Sequence, residues 1–227
     1  MLEKLPKAVI FDLDGTLLDT LDGLAVRMNG VLSGAGYPEL PRERVRALIG
    51  GGAREFMRRS LPESANVSPS EFERLMDNYH AVREEESDLV KVFAGIPQVL
   101  GWLRLRGIPL AVLSNKPDEP TNKLVQKFFP EIGFADVRGH VEGFPHKPDP
   151  AVLLQMLSGM GAEAADALFV GDGDADCAVS ANAGTMFAAA LWGYRSRAEL
   201  SAAGAQDFYD SPAALLFALQ SFAEKEA

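Results

Sequence analysis

Three short apolar runs in this chain stop abruptly at polar residues. The first, Ala8-Val9-Ile10-Phe11, runs into Asp12, Asp14, Gly15 and Thr16. The second ends as Val112-Leu113 before Ser114, Asn115 and Lys116, and the third ends as Phe169-Val170 before Gly171, Asp172, Gly173, Asp174 and Asp176. The first run has the length and branching of a strand buried on both faces, and Gly15 breaks it. In open α/β sheets ligands bind at the carboxyl ends of the strands. Three strands that all end in carboxylates or hydroxyls at one end of a sheet therefore describe a site.

Along a strand, side chains alternate with period 2, so Asp12 and Asp14 point to one side and Leu13 points away into packing. Carboxylates that close raise each other's pKa unless a shared proton or a cation intervenes. Oxygen donors of this kind favour magnesium. Taken alone, a D-x-D sequence equally fits an ordinary acidic turn after a strand. The run Asp172-Gly173-Asp174-Ala175-Asp176 also suggests a calcium loop. Such a loop needs glycine at its sixth position and glutamate at its twelfth, where this chain has Cys177 and Ala183, so that option fails.

From the first strand to about residue 88 the pattern is helical, with candidates at Thr20 to Gly34, Pro41 to Ile49, Ala53 to Leu61 and Ser70 to Ser87 and no strand signal between them. Beyond Val92, strands and helices alternate. Helices are expected at Ile96 to Arg106, Glu119 to Phe128, Asp149 to Met160 and Asp174 to Ala183. Strands are expected at Pro109 to Leu113, near Phe134 to Val137, at Ala167 to Val170 and at Met186 to Leu191, followed by a closing strand and helix. Alternation of this kind implies an α/β fold with a doubly wound parallel sheet. The expected organisation is a core of residues 1–18 and 89–227 carrying a helical insert at 19–88. An insert that leaves directly after the first strand lies over the carboxyl ends of the strands, where it can close on a substrate.

The motif Asp12-Leu13-Asp14-Gly15-Thr16 resembles the nucleophile motif of the haloacid dehalogenase superfamily, and three further segments follow in that family's order. The resemblance implies a Rossmann-like core with a cap inserted after the first motif. It also implies magnesium-dependent phosphatase chemistry through an aspartyl-phosphate. Asp12 would attack phosphorus, and Asp14 would protonate the leaving alkoxide and then deprotonate water. Ser114, with the Asn115 backbone amide, would bind a phosphoryl oxygen, and Thr16 would belong to the same substrate-binding set. Lys147, held between prolines in His146-Lys147-Pro148, would neutralise charge between nucleophile and phosphate. Magnesium would be held by Asp12, the backbone carbonyl of Asp14 and Asp172, with Asp176 one helical turn further on orienting metal waters or the lysine.

The same resemblance separates competing activities. Dehalogenases of the family lack the acid/base Asp present here as Asp14. Phosphonate hydrolases need a cap lysine, yet no lysine occurs between Lys7 and Lys91. Phosphosugar mutases carry a histidine ten residues after the acid/base Asp, where this chain has Leu24. Hydrolysis is favoured, with sugar phosphates and pyrophosphate as alternative substrates and a phosphosugar mutase as the alternative reaction. The segment Gly50-Gly51-Gly52-Ala53-Arg54 is similar to the glycine-bearing cap loop of phosphoglycolate phosphatases. If so, Gly51, Gly52 and Arg54 would face a substrate carboxylate. A plain flexible linker is the other reading of the same residues. The run Trp192 to Arg197 is similar to the same subgroup.

Composition narrows the partners. A net charge of −10 argues against nucleic acid, and no apolar run approaches the length of a membrane span. The start of the chain lacks the apolar stretch of a signal peptide, so a cytoplasmic monomer or homodimer acting on a phosphorylated small molecule is expected. The single cysteine, Cys177, excludes an internal disulfide and a cysteine-cluster metal site.

Overall fold

The computed structural model describes residues 4–82 and 88–225. Its centre is a six-stranded, all-parallel sheet. In chain order the strands are β1 (Ala8–Phe11), β4 (Leu110–Pro117), β5 (Asp136–His140), β6 (Ala167–Gly171), β7 (Met186–Ala190) and β8 (Phe208–Tyr209), arranged in space as β5-β4-β1-β6-β7-β8. Parallel strands buried on both faces read as continuous apolar runs, and β1 and β6 are buried at every position.

The period-2 alternation sorts these residues onto two faces. Val9, Phe11, Val112, Leu168 and Val170 pack against helices α5 (Ile96–Leu105), α6 (Asp118–Phe128) and α10 (Pro212–Lys225) through Leu100, Leu124 and Leu219. On the other face Ala8, Ile10, Ala111, Leu113 and Phe169 pack against α7 (Ala151–Gly159) and α8 (Asp174–Ala183) through Leu153, Met156 and Val179. Helices on both faces make the sheet doubly wound, as expected.

Among the described residues, four helices lie between β1 and α5: α1 (Leu21–Gly34), α2 (Arg42–Leu48), α3 (Ala53–Ser60) and α4 (Pro69–Ala81). They bury an apolar cluster of their own around Met28, Leu32, Val45, Met57 and Leu75, which also takes in Tyr194 from the core. The expected helix from Ser70 to Ser87 is present through Ala81, and its positions 83–87 lie outside the described residues. No helix among the described residues is long and apolar enough to cross a membrane.

Several boundaries differ from expectation for local reasons. The four helices are flanked by a two-stranded antiparallel ribbon, β2 (Leu18–Asp19) and β3 (Lys91–Val92), where no strand was expected, because two residues carry no readable period. Strand β4 runs on to Pro117, so Ser114, Asn115 and Lys116 lie within a strand and not after one. Strand β5 sits at 136–140, further along than 134–137, and α7 starts at Ala151, after Pro150. The short helix α9 (Arg197–Ala202) was not expected. Its signal was present: Ser196 and Glu199 form a reciprocal capping box.

Candidate active site

Register explains why the strand ends converge. Phe11 on the central strand lies opposite Val112 of β4 and Val170 of β6, and the Asp12 amide donates to the Val170 carbonyl at 2.9 Å. One or two residues further along each strand, Asp12, Ser114 and Asp172 therefore emerge side by side.

Around that point Asp12, Asp172 and Asp176 are buried, with carboxylate oxygens within 4.8 Å of one another. Lys147 reaches in from the loop after β5, its side chain 2% exposed, and places Nζ 2.8 Å from Asp12 Oδ1 and 2.6 Å from Asp176 Oδ1. It donates a hydrogen bond to Asp176 but approaches Asp12 off that direction, so Asp12 Oδ1 is a buried oxygen without a hydrogen-bond partner. Burial, reinforced by the Asp176 charge and opposed by Lys147, pushes Asp12 up to about 7. Burial and the charges of Asp12 and Asp176 also push Asp172 well above the usual carboxylate range. Burial works against the Lys147 charge, but Asp12 and Asp176 outweigh it and hold the ammonium above the ordinary lysine range. The cluster is short of positive charge, and three buried carboxylates gathered around one ammonium fit a hard divalent cation.

Asp172 is held from several sides. Thr16 Oγ1 donates to its Oδ1 at 2.9 Å and the Tyr194 amide to its Oδ2 at 2.7 Å. Gly15, at φ 86°, and Gly193 lie so close that a Cβ on either would come within 2.3 Å of an Asp172 side-chain atom. Thr16, expected in the substrate-binding set, is fully buried and spends its hydroxyl on this carboxylate, because the turn at Gly15 points it back toward β6. It supports the cluster and does not reach into the cleft.

Asp14 stands apart from the three buried acids. Its Oδ1 accepts from the Thr20 hydroxyl at 2.8 Å, and Lys116 Nζ lies 3.2 Å from Oδ1 and 3.1 Å from Oδ2. Tyr194 Oη accepts from the Thr20 amide and lies 3.1 Å from the Thr20 hydroxyl. Burial, helped by the Asp14 charge, keeps the Tyr194 phenol well above its usual range and so neutral. Lys116, Thr20, Gly193 and Tyr194 carried no assigned role in the sequence. Lys116 was legible as the residue after Ser114-Asn115, whereas nothing near Tyr194 or Gly193 signals their distance to Asp14 and Asp172.

Ser114 is buried at the cleft floor. Asn115 clamps two loops with one amide group, donating to the Gly50 carbonyl at 3.0 Å and the Lys147 carbonyl at 2.9 Å, and its own Oδ1 has no partner. The glycine loop is therefore no loose linker. Gly50, Gly52 and Ala53 line the cleft, and Gly52 sits against the Asn115 carbonyl. Gly51 and Arg54 were expected to face substrate, but they line a neighbouring cavity with Arg58, His80 and His140. Arg54 forms a two-pronged ion pair with Glu73 on α4, at 2.9 and 2.5 Å, with its side chain 42% exposed. It is the second residue of α3, and its guanidinium is spent on Glu73 of the neighbouring helix.

Residues 9–190 match the family described as haloacid dehalogenase-like hydrolase. The chain is 34% identical over 194 residues to phosphoglycolate phosphatase 1 of Pseudomonas aeruginosa, covering 84% of this chain and 71% of that one. It is 33% identical over 217 residues to a phosphoglycolate phosphatase of Rhodospirillum rubrum, covering 93% of this chain and 90% of that one. Its fold superposes with a TM-score of 0.87 on a predicted phosphoglycolate phosphatase from Haemophilus somnus, at 24% identity, covering 95% of this chain and 98% of the other.

Proposed function

The chain belongs to the haloacid dehalogenase-like hydrolases, and from that membership we propose a magnesium-dependent phosphatase that cleaves a small phosphate monoester of the phosphoglycolate kind through a phosphorylated Asp12. Its relatives make it a phosphoric monoester hydrolase. One observation carries the finer reading: three buried carboxylates, Asp12, Asp172 and Asp176, face one ammonium, Lys147. With all three ionised, they would leave two negative charges uncompensated by the lysine, the charge of one divalent ion.

Asp12, Asp172 and the Asp14 backbone would hold that magnesium, which supplies charge neutralisation between an anionic nucleophile and an anionic phosphate. The remaining chemistry belongs to the chain. An Asp12 oxygen attacks phosphorus while the bond to the leaving alcohol breaks, and Asp14 hands its proton to the departing oxygen. Water then attacks phosphorus, Asp14 takes the water proton, and the bond from Asp12 to phosphorus breaks to release inorganic phosphate. Ser114 and the Asn115 backbone amide bind phosphoryl oxygens, and Lys147, fixed by Asp176, keeps a positive charge beside the nucleophile.

We further propose that residues 19–88 act as a cap. Leu24, Ile49 and Phe56 present an apolar wall to the cleft, which suits exclusion of bulk water from an acyl phosphate. Leu24 occupies the place where a mutase of this family would need its histidine, so the acceptor is water. A phosphorylated small molecule in the cytoplasm is the proposed setting. Acid quenching during turnover of phosphoglycolate with magnesium should leave phosphoryl mass on the peptide containing Asp12. An unmodified peptide throughout steady turnover would refute the covalent route.

A further inference from the structure

Resting on that reading, we propose that Lys116 is the specificity-determining residue that binds a second anionic group, a carboxylate, on the leaving-group side of the ester. The lining of the cleft carries the inference. The insertion contributes Leu24, Ile49, Ala53, Phe56, Tyr79 and glycine backbone, and among the described residues no formally charged side chain from it lines this cavity. A charged substrate group must therefore find its counter-ion on the sheet side. Three cations line the cleft there: Lys147, Arg195 and Lys116.

All three have partners, and their positions separate them. Lys147 sits between Asp12 and Asp176, beside the nucleophile. Arg195 directs Nη1 to the Arg46 carbonyl at 3.0 Å and Nη2 to the Ile49 carbonyl at 2.5 Å, holding the end of α2 and the glycine loop. Lys116 instead brings its ammonium to within 3.1 and 3.2 Å of the Asp14 oxygens, next to the group that hands a proton to the leaving alcohol. The carboxylate carbon of phosphoglycolate is two bonds from the ester oxygen. When that oxygen meets Asp14, the carboxylate comes to the cation beside Asp14. Lys116 is also held in place: it is buried, its amide donates to Ser114 Oγ at 3.3 Å, and its carbonyl accepts from the Thr121 hydroxyl. A fixed ammonium reads position as well as charge.

The test compares phosphoglycolate with 2-hydroxyethyl phosphate, an ester of the same length whose far end is neutral. The ratio of their kcat/KM values does not depend on how much of a variant is folded, and any common loss through Asp14 cancels in it. Wild-type protein should favour phosphoglycolate. Lys116→Met and Lys116→Gln should each lower that ratio by about tenfold or more, chiefly through the KM of phosphoglycolate, the usual effect of losing a charge-assisted hydrogen bond. Lys116→Arg should restore part of the ratio, which a purely structural role would not predict. A wild-type preference that persists in Lys116→Met overturns the assignment of Lys116 alone. Wild-type protein without the preference overturns the substrate reading, and the role of Lys116 with it.

Discussion

Lys147 and Asp176 meet at 2.6 Å with side chains 2% and 3% exposed, so the lysine that faces the nucleophile is itself anchored by a carboxylate from the first turn of α8. Removing one partner of a buried ion pair strands the other charge, at about 3–5 kcal/mol. Lys147→Met, which strands the buried carboxylates, should therefore lower unfolding free energy by an amount of that order in urea titrations, whereas Asp176→Asn leaves Lys147 paired with Asp12 and should cost less. The double change Asp176→Asn with Lys147→Met should cost less than the sum of the two single changes. Additive losses would mean the pair is not coupled.

Asp12 and Asp14 sit in different surroundings and should fail differently. Asp12→Asn keeps the shape but removes the nucleophile, so turnover should vanish and no phosphoryl adduct should form. Asp14→Asn keeps the nucleophile, so an ester with a good leaving group, such as an aryl phosphate, should still phosphorylate Asp12, with the adduct accumulating because no base activates water. Mass spectrometry of acid-quenched samples distinguishes the two outcomes.

Metal removal should interact with pH. Asp12 rises to about 7 in the fold against 3.8 in the unfolded chain, so between those values the folded state binds more protons and stability falls as pH rises. Asp172, also raised, acts in the same direction. Protein in chelator should thus lose thermal stability from about pH 4 to about pH 7, and added magnesium should restore more at pH 7.5 than at pH 5. Asp12→Asn should flatten the slope, and a metal response equal at both pH values would contradict the cluster as its origin. Asp172→Ala should abolish most of the response.

Gly193 is a sharper probe of Asp172 than any charge change. A Cβ there would lie 2.3 Å from Asp172 Cβ and 2.4 Å from the Gly15 carbonyl, both in rigid surroundings. Gly193→Ala should displace the carboxylate and raise the magnesium concentration needed for half-maximal turnover by roughly tenfold or more, the scale of losing support for a ligand. An unchanged metal requirement would show that the loop gives way freely.

Arg54, by contrast, should matter little. Its partner Glu73 is exposed and their ion pair is of the kind worth about 0.2–1 kcal/mol. Arg54→Ala should change kcat/KM by less than about threefold on carboxylated and neutral esters alike. A large, selective loss on phosphoglycolate would return it to the substrate site.

Local period and strand-end chemistry carry most of what is legible in the sequence. Apolar runs of strand length, read with alternating helices, were enough for the parallel sheet. The polar residues that follow the apolar runs of β1, β4 and β6 were enough to bring Asp12, Ser114 and Asp172 together, because parallel strands in register deliver matching positions to one place, even though β4 itself runs on past Ser114. Lys147 and Asp176 were legible through their motif context. Tertiary structure decided everything that depends on distance across the chain: that Thr16 turns to Asp172, that Gly193 and Tyr194 close over it, that Lys116 faces Asp14, and that Arg54 pairs with Glu73 and lines a different cavity. The reason is physical. A side chain's direction is set by the periodicity of its own element, which sequence carries, but the partner it meets is set by how elements pack, which no local pattern encodes.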